Sequence, residues 1–216
     1  MKRVPVSGPV TLCYDVSHWQ QDLHLHAHMR LLGAKVCMIK ATESLAIQDD
    51  MFRKHVAEAK TQGMIVGFYH FNRANRDPIA QARNYEQVIG SLGQNDLGPI
   101  LDLETFDGLD IPHVRDEALT IIRELHSHFG RTVVLYGGPS KLESLNLPPE
   151  VARLCVLWVA HYGPQPSTGP LVPAPFNKWA FWQFTDGKVG FSKGGAFIKC
   201  DFSYFWGELT DLKSVG

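Results

Sequence analysis

Short apolar runs rich in β-branched and aromatic residues recur at 11–17, 34–42, 64–71, 99–104 and 132–137, and each predicts a buried strand. Between them, apolar positions fall three and four apart, the repeat of one helical face. The clearest such stripe is Ala118, Ile121, Ile122, Leu125 and Phe129, and Phe52, Val56 and Ala59 form a shorter one. Asp77 followed by Pro78 supplies an N-cap and a first-turn proline for a helix carrying Ile79, Ala82, Tyr85 and Ile89. Five β-then-α units result. After about residue 153 the alternation stops, and 154–162, 179–185 and 196–205 read as three further strands without clear helices. Eight strands with helices after the first five predict an α/β fold, an irregular TIM-like barrel; an open doubly wound sheet would alternate throughout. The proline-rich segment 162–178 is read as an insertion loop, so residues 1–216 are expected to form a single domain.

Candidate chemistry lies where the fourth run ends. Asp102 and Glu104 are two residues apart, so strand geometry sends both to one face and Leu101 and Leu103 to the other. Their Cα atoms would lie roughly 6.5 Å apart. Carboxylates that close resist double ionisation, so one keeps its proton near neutral pH and can act as a general acid, as cleavage of a glycosidic bond requires. Alone, Asp-x-Glu is equally an ordinary strand end in water. In a parallel barrel, however, the site is assembled at the C-terminal strand ends. That rule gathers Asp15, Lys40, Tyr69, Asp102, Glu104, Tyr136, Trp158, Gln183 and Asp201 at one rim. Acids among aromatic rings describe a sugar site, because pyranose faces stack on rings while carboxylates bind hydroxyls.

Composition narrows the picture. Lys and Arg total 21 against 22 Asp and Glu in 216 residues, a net charge of −1, which leaves no electrostatic footprint for nucleic acid. No apolar stretch reaches the ~18 residues needed to cross a membrane, and residues 1–9 lack the apolar segment of a secretion signal. Cytoplasmic synthesis without a membrane anchor is therefore expected. Cys13, Cys37, Cys155 and Cys200 sit in separate strand-like runs and predict buried free thiols. His24, His26 and His28 alternate, so they do not share a helical face; they predict a solvated histidine-rich helix, and no metal or cofactor is expected. His70 and His161 are expected to point outward or bond locally, and Asp107 and Asp110 to be loop and N-cap residues.

The ordered segments Tyr14-Asp15-Val16-Ser17-His18-Trp19-Gln20, Lys40-Ala41-Thr42-Glu43, Gly67-Phe68-Tyr69-His70-Phe71, Leu101-Asp102-Leu103-Glu104, Leu157-Trp158-Val159-Ala160 and Trp182-Gln183-Phe184 resemble the signatures of glycoside hydrolase family 25, the Chalaropsis-type lysozymes or N-acetylmuramidases. Asp201-Phe202-Ser203-Tyr204-Phe205-Trp206-Gly207 is similar to that family's closing Asp-x-Asn-x-Phe-x-Gly, with serine for asparagine, and Gln81-Ala82 also fits. The resemblance implies a barrel of five βα units and three strands. It implies peptidoglycan as substrate, cut at the β-1,4 bond between N-acetylmuramic acid and N-acetylglucosamine.

By the same resemblance Glu104 is the general acid and Asp102 assists at the anomeric side, either by orienting the substrate's acetamido group or in a water-based inverting route. Asp15 and Asp201 match the family's other two acids. Lys40 is either a substrate contact or the partner of a rim carboxylate, and Tyr69, Tyr136 and Trp158 are either sugar platforms or core packing; Gln183 joins them as a binding candidate. The Cα spacing does not choose between the retaining class, with carboxyls ~5–5.5 Å apart, and the inverting class at ~6.5–9.5 Å. Ser44 stands where the family usually has glycine. A monomer that reaches the wall by a phage-type release route is expected, with a secreted form as the alternative. The rival readings are a non-catalytic wall-binding module, a metal-dependent hydrolase and a chitinase-like glycosidase.

Overall fold

The computed structural model describes residues 1–22, 24–187, 191–193, 196–198 and 200–214, with 191–193, 196–198 and 213–214 described by backbone alone. The eight barrel strands are β1 (Val10–Val16), β2 (Val36–Glu43), β3 (Ile65–Phe71), β4 (Ile100–Asp102), β5 (Val133–Gly137), β6 (Cys155–Ala160), β7 (Phe181–Gln183) and β8 (Asp201–Trp206). The first seven pair in parallel in sequence order. β8 closes the ring between β7 and β1 and is antiparallel to both.

Two strand expectations need correction. The run predicted at 196–205 is two pieces: Ala196–Ile198 forms a hairpin with Phe191–Lys193, and β8 starts only at Asp201. Apolar composition continues across both pieces, so it cannot mark where the ribbon ends. The run at 99–104 is also shorter than expected, because β4 ends at Asp102 and Glu104 follows in the loop.

Among the described residues six α-helices pack outside the ring: α1 (Leu25–Leu31), α2 (Phe52–Thr61), α3 (Pro78–Ile89), α4 (Ile111–Phe129), α5 (Pro139–Ser144) and α6 (Val151–Leu154). Asp77 caps α3 by accepting from Ala80 N, and Asp110 caps α4 by accepting from His113 N. Gly130, at φ +63°, ends α4 in the left-handed conformation that glycine adopts without a Cβ penalty.

Side-chain alternation divides the core in two. Tyr14, Cys37, Ile39, Leu101, Leu135 and Leu157 face the helices, while Cys13, Val36, Met38, Ile100, Val134 and Phe181 fill the barrel. All four cysteines are free and buried.

The helix nearest β1 departs from expectation. His26 is 1% exposed and His55 on α2 equally so, both inside the packed layer between α1 and α2. A solvated face describes His24 and His28 but not His26. The α2 face turned inward is Phe52, His55 and Ala59, and Val56 lies beside it; the apolar pattern passes over a histidine that its three-residue spacing includes. His70 is likewise fully buried, bonded between Thr42 Oγ1 (2.8 Å) and Gln81 Oε1 (3.3 Å), so of its two expected placements the local bond is the one found.

The insertion loop is tied to the chain start. Lys2–Arg3 pairs with Leu171–Val172, Val4 N donates to Pro170 O at 3.1 Å, and Trp179 Nε1 donates to Val4 O at 2.9 Å. Gly169 sits at φ +64° against the Val4 carbonyl, leaving no room for a Cβ. Gly169→Ala is expected to destabilise the fold by about 2 kcal/mol or more, combining left-handed strain with a backbone clash. Denaturant unfolding checks this, and an unchanged midpoint would refute the strap. Ser44 adopts φ 55°, which gives a physical reason for glycine there in the family pattern.

Candidate active site

Period-2 geometry determines which side chains meet at the rim. Along β1 the inward positions include Cys13 and Asp15; along β2, Val36, Met38 and Lys40; along β4, Ile100 and Asp102; along β5, Val134 and Tyr136; along β7, Phe181 and Gln183. Each strand is apolar at its inner end and changes character at its last inward residue. Together with Tyr69 on β3, Trp158 on β6 and Asp201 on β8, these residues give each of the eight strands at least one place in a cleft of about 190 Å³. Glu104 reaches the same cleft from the loop two residues past Asp102.

Asp201 arrives differently from the rest. Because β8 runs antiparallel, its first residue lies at the rim, in register with Asp15 on β1. A rule based on strand C-termini reaches a rim residue here although Asp201 begins its strand, a reversal the sequence does not show.

The carboxylates occupy unequal surroundings. Asp102 is 5% exposed, and its Oδ1 has no hydrogen-bond partner among the described residues. Burial first, then the charges of Glu104 and Asp15, push its pKa well above the usual carboxylate range. Asp15, 8% exposed, is pushed the same way by burial and then by Asp201, against the hydrogen bond it accepts from Gln183 Nε2 at 2.9 Å. Glu104 is only half-buried, and its backbone oxygen, not its carboxylate, accepts from Lys141 Nζ.

The aromatic and amide residues form a rigid floor. Tyr136 and Trp158 are 5% and 2% exposed, with ring centroids 4.4 Å apart, and the Trp158 Nε1 donates to Ser203 Oγ at 3.0 Å. Gln183 Oε1 accepts from the hydroxyls of Tyr136 and Tyr162, each at 2.7 Å, which fixes its amide so that Nε2 faces Asp15. Lys40 Nζ pairs with Glu43 at 2.6 Å and lies over the Phe71 ring, so it has a carboxylate partner and lines the cleft as well.

A chain of contacts, buried at Gln81 and Glu117 and partly exposed at Arg73, supports that ion pair from behind. Gln81 bonds both backbone groups of Arg73 and also Glu117, and Arg73 pairs with Glu43 and Asp107. Burial opposes ionisation of Glu43, but Lys40 and Arg73 together hold its pKa below the usual value. Burial raises the Glu117 pKa to about 7.

The sequence model of Glycosyl hydrolases family 25 matches residues 14–190. The chain belongs to this family. Lysozyme M1 of Streptomyces globisporus is 31% identical over 193 residues, a match covering 82% of this chain and 62% of that protein. The chain thus spans less than two thirds of that relative's length. Among solved structures, a bacterial lysozyme from Streptomyces coelicolor superposes with a TM-score of 0.83 at 27% identity, covering 97% of this chain and 98% of the other. A muramidase from Trichobolus zukalii superposes with a TM-score of 0.81 at 26% identity, covering 95% and 98%.

In this family 25 chain the cleft also has walls that strand-end reasoning passed over. Trp19 is 80% exposed and lines the cleft with Ser17, Gln20 and Phe71. It lies beyond the end of β1, so no strand rule selects it. Its signal is its type: a large apolar ring left in water beside carboxylates is unusual unless something covers it. Tyr162, just past β6, enters through its bond to Gln183.

Proposed function

We propose that this protein hydrolyses peptidoglycan at the β-1,4 bond between N-acetylmuramic acid and N-acetylglucosamine. The observation that carries the reading is the convergence of Asp15, Asp102, Glu104 and Asp201 on one cleft floored by Tyr136 and Trp158. Glu104, the more accessible member of the central pair, is the general acid that protonates the leaving oxygen. Asp102 lies deeper and acts at the anomeric side. When the substrate's acetamido N–H turns toward it, the anionic form of Asp102 gains a partner, and the proton it held becomes available to Glu104. Asp102 then orients the acetamido oxygen to bond the anomeric carbon as the leaving bond breaks; water, giving a proton to the Glu104 carboxylate, next opens that cyclic intermediate and supplies the new reducing-end hydroxyl. Asp15, bonded to Gln183 on the floor, and Asp201, its partner across the strand pair, hold the sugar hydroxyls and set the charge of the cleft. Trp19 offers a ring face for a neighbouring pyranose. No step calls on a metal or cofactor.

Mass analysis of fragments released from defined peptidoglycan tests this directly. Reducing-end N-acetylmuramic acid is the expected product. Reducing-end N-acetylglucosamine would assign the cleavage to the other glycosidic bond, and faster release from chitin would favour the chitinase-like reading. Binding to walls without any new reducing ends would favour a non-catalytic module.

A further inference from the structure

The buried histidines between α1 and α2 have no part in the chemistry proposed for the cleft. His26 Nε2 faces His55 Nδ1 at 2.8 Å, and Glu58 Oε2 lies 3.9 Å from His26 Nε2. The three ligand atoms lie within 4.8 Å of one another. His26 and Glu58 line a cavity of about 250 Å³, together with His24, Thr61 and Gln62.

The outer sides of both rings are already engaged. His55 Nε2 is 3.2 Å from the Ser17 carbonyl, which can only accept, so that nitrogen carries the proton and Nδ1 presents a lone pair. His26 Nδ1 is 2.6 Å from the Tyr14 hydroxyl, and that hydroxyl also has Met64 Sδ at 2.8 Å as an acceptor. If the Tyr14 hydroxyl donates to Met64, His26 Nδ1–H donates to the Tyr14 oxygen. His26 Nε2 then presents a second lone pair to the first. Two inward lone pairs beside a carboxylate, with both outer ring nitrogens bonded to oxygen, are the donor arrangement of a metal-binding histidine pair and its supporting shell.

We propose that His26, His55 and Glu58 bind a divalent transition-metal ion of the Zn(II) class, with water from the adjoining cavity completing the coordination. Imidazole and carboxylate donors without a thiolate suit that class. In the metal-free chain a proton on His26 Nε2 bridges the rings; on binding, it moves to Nδ1 while the Tyr14 hydroxyl turns to Met64. The histidines therefore release no net proton. Zn–N bonds of about 2.0–2.1 Å require the two nitrogens to part slightly from their present separation. Bound metal would staple α1 to α2 and, through the Ser17 carbonyl, steady the end of β1. Ser17 also lines the cleft, so the two sites meet at that residue, but none of the three metal donors lines the cleft and the proposal is independent of the bond the protein cleaves.

Competition for Zn²⁺ against a chromophoric chelator, with Co²⁺ absorption as a second probe, tests the site in the full chain. One equivalent is expected to bind, with a Co²⁺ spectrum of low coordination number, and to raise Tm. Exposed His24 and His28 could capture metal as an adventitious pair, so the double variant His24→Ala/His28→Ala is the control and should bind as the parent does. Glu58→Gln, at a half-exposed position that should not perturb folding, is expected to weaken binding at least about tenfold. His55→Ala should abolish it. No stoichiometric binding by the parent, undiminished binding by Glu58→Gln, or loss of binding in the His24/His28 double variant would each overturn the proposal.

Discussion

Glu104→Gln is expected to lower peptidoglycan hydrolysis by about 10²- to 10⁴-fold while leaving the fold intact. The amide keeps the size of the side chain but has no proton of suitable acidity to give the leaving oxygen. The structural cost is small because Glu104 is only half-buried, and its contact to Lys141 uses the backbone oxygen. Clearing of wall suspensions and release of reducing ends measure the first effect; a thermal melt measures the second. A variant that clears walls at the parental rate would remove Glu104 from the role of acid. A variant that melts early would instead show that the carboxylate supports the loop after β4.

Asp102→Asn is expected to lower activity by about 10²-fold and yet raise stability at neutral and alkaline pH. Burial, Glu104 and Asp15 raise the Asp102 pKa in the folded chain. The folded state therefore binds a proton more tightly than the unfolded state does. Stability from this group is complete below the ordinary carboxylate pKa of about 4 and is lost as pH rises through the raised folded value. Asparagine never ionises, so the variant should lose less stability between pH 4 and pH 8 and melt a few degrees higher at pH 8. Asp15 is shifted in the same direction, so part of the parent's pH dependence should persist in the single variant. A melt that stays below the parent's at pH 8 would mean that Asp102 is ionised at little cost in the resting cleft.

Strand positions and the identity of the rim residues were legible because both depend on period-2 alternation, which a sequence displays directly. Inward positions such as 36, 38 and 40 change from apolar to polar where the strand reaches the cleft, and residues 100, 102 and 104 repeat the pattern. Three things were not legible. The direction of β8, antiparallel to both neighbours, has no local signal in the mostly apolar stretch 196–205. The burial of His26 and His55 depends on each supplying the other's hydrogen bond, and two distant positions do not announce that pairing. Gln183, a candidate for sugar contact, does line the cleft; what was hidden is the network holding its amide to Tyr136, Tyr162 and Asp15, which only the closed ring brings together.

The antiparallel last strand also determines when the cleft can come into being. Asp15 and Asp201 are partners across the seam between β1 and β8, and Thr11 Oγ1 donates to Gly207 O farther along the same seam. These contacts join residues separated by nearly the whole sequence, the kind that forms late and slowly in folding. A nascent chain on the ribosome lacks one wall of its cleft until β8 has emerged and docked. Synthesis and assembly of the site are therefore separated in time, and a chain stopped short of Asp201 would carry Asp102 and Glu104 with nothing opposite Asp15 to complete the groove.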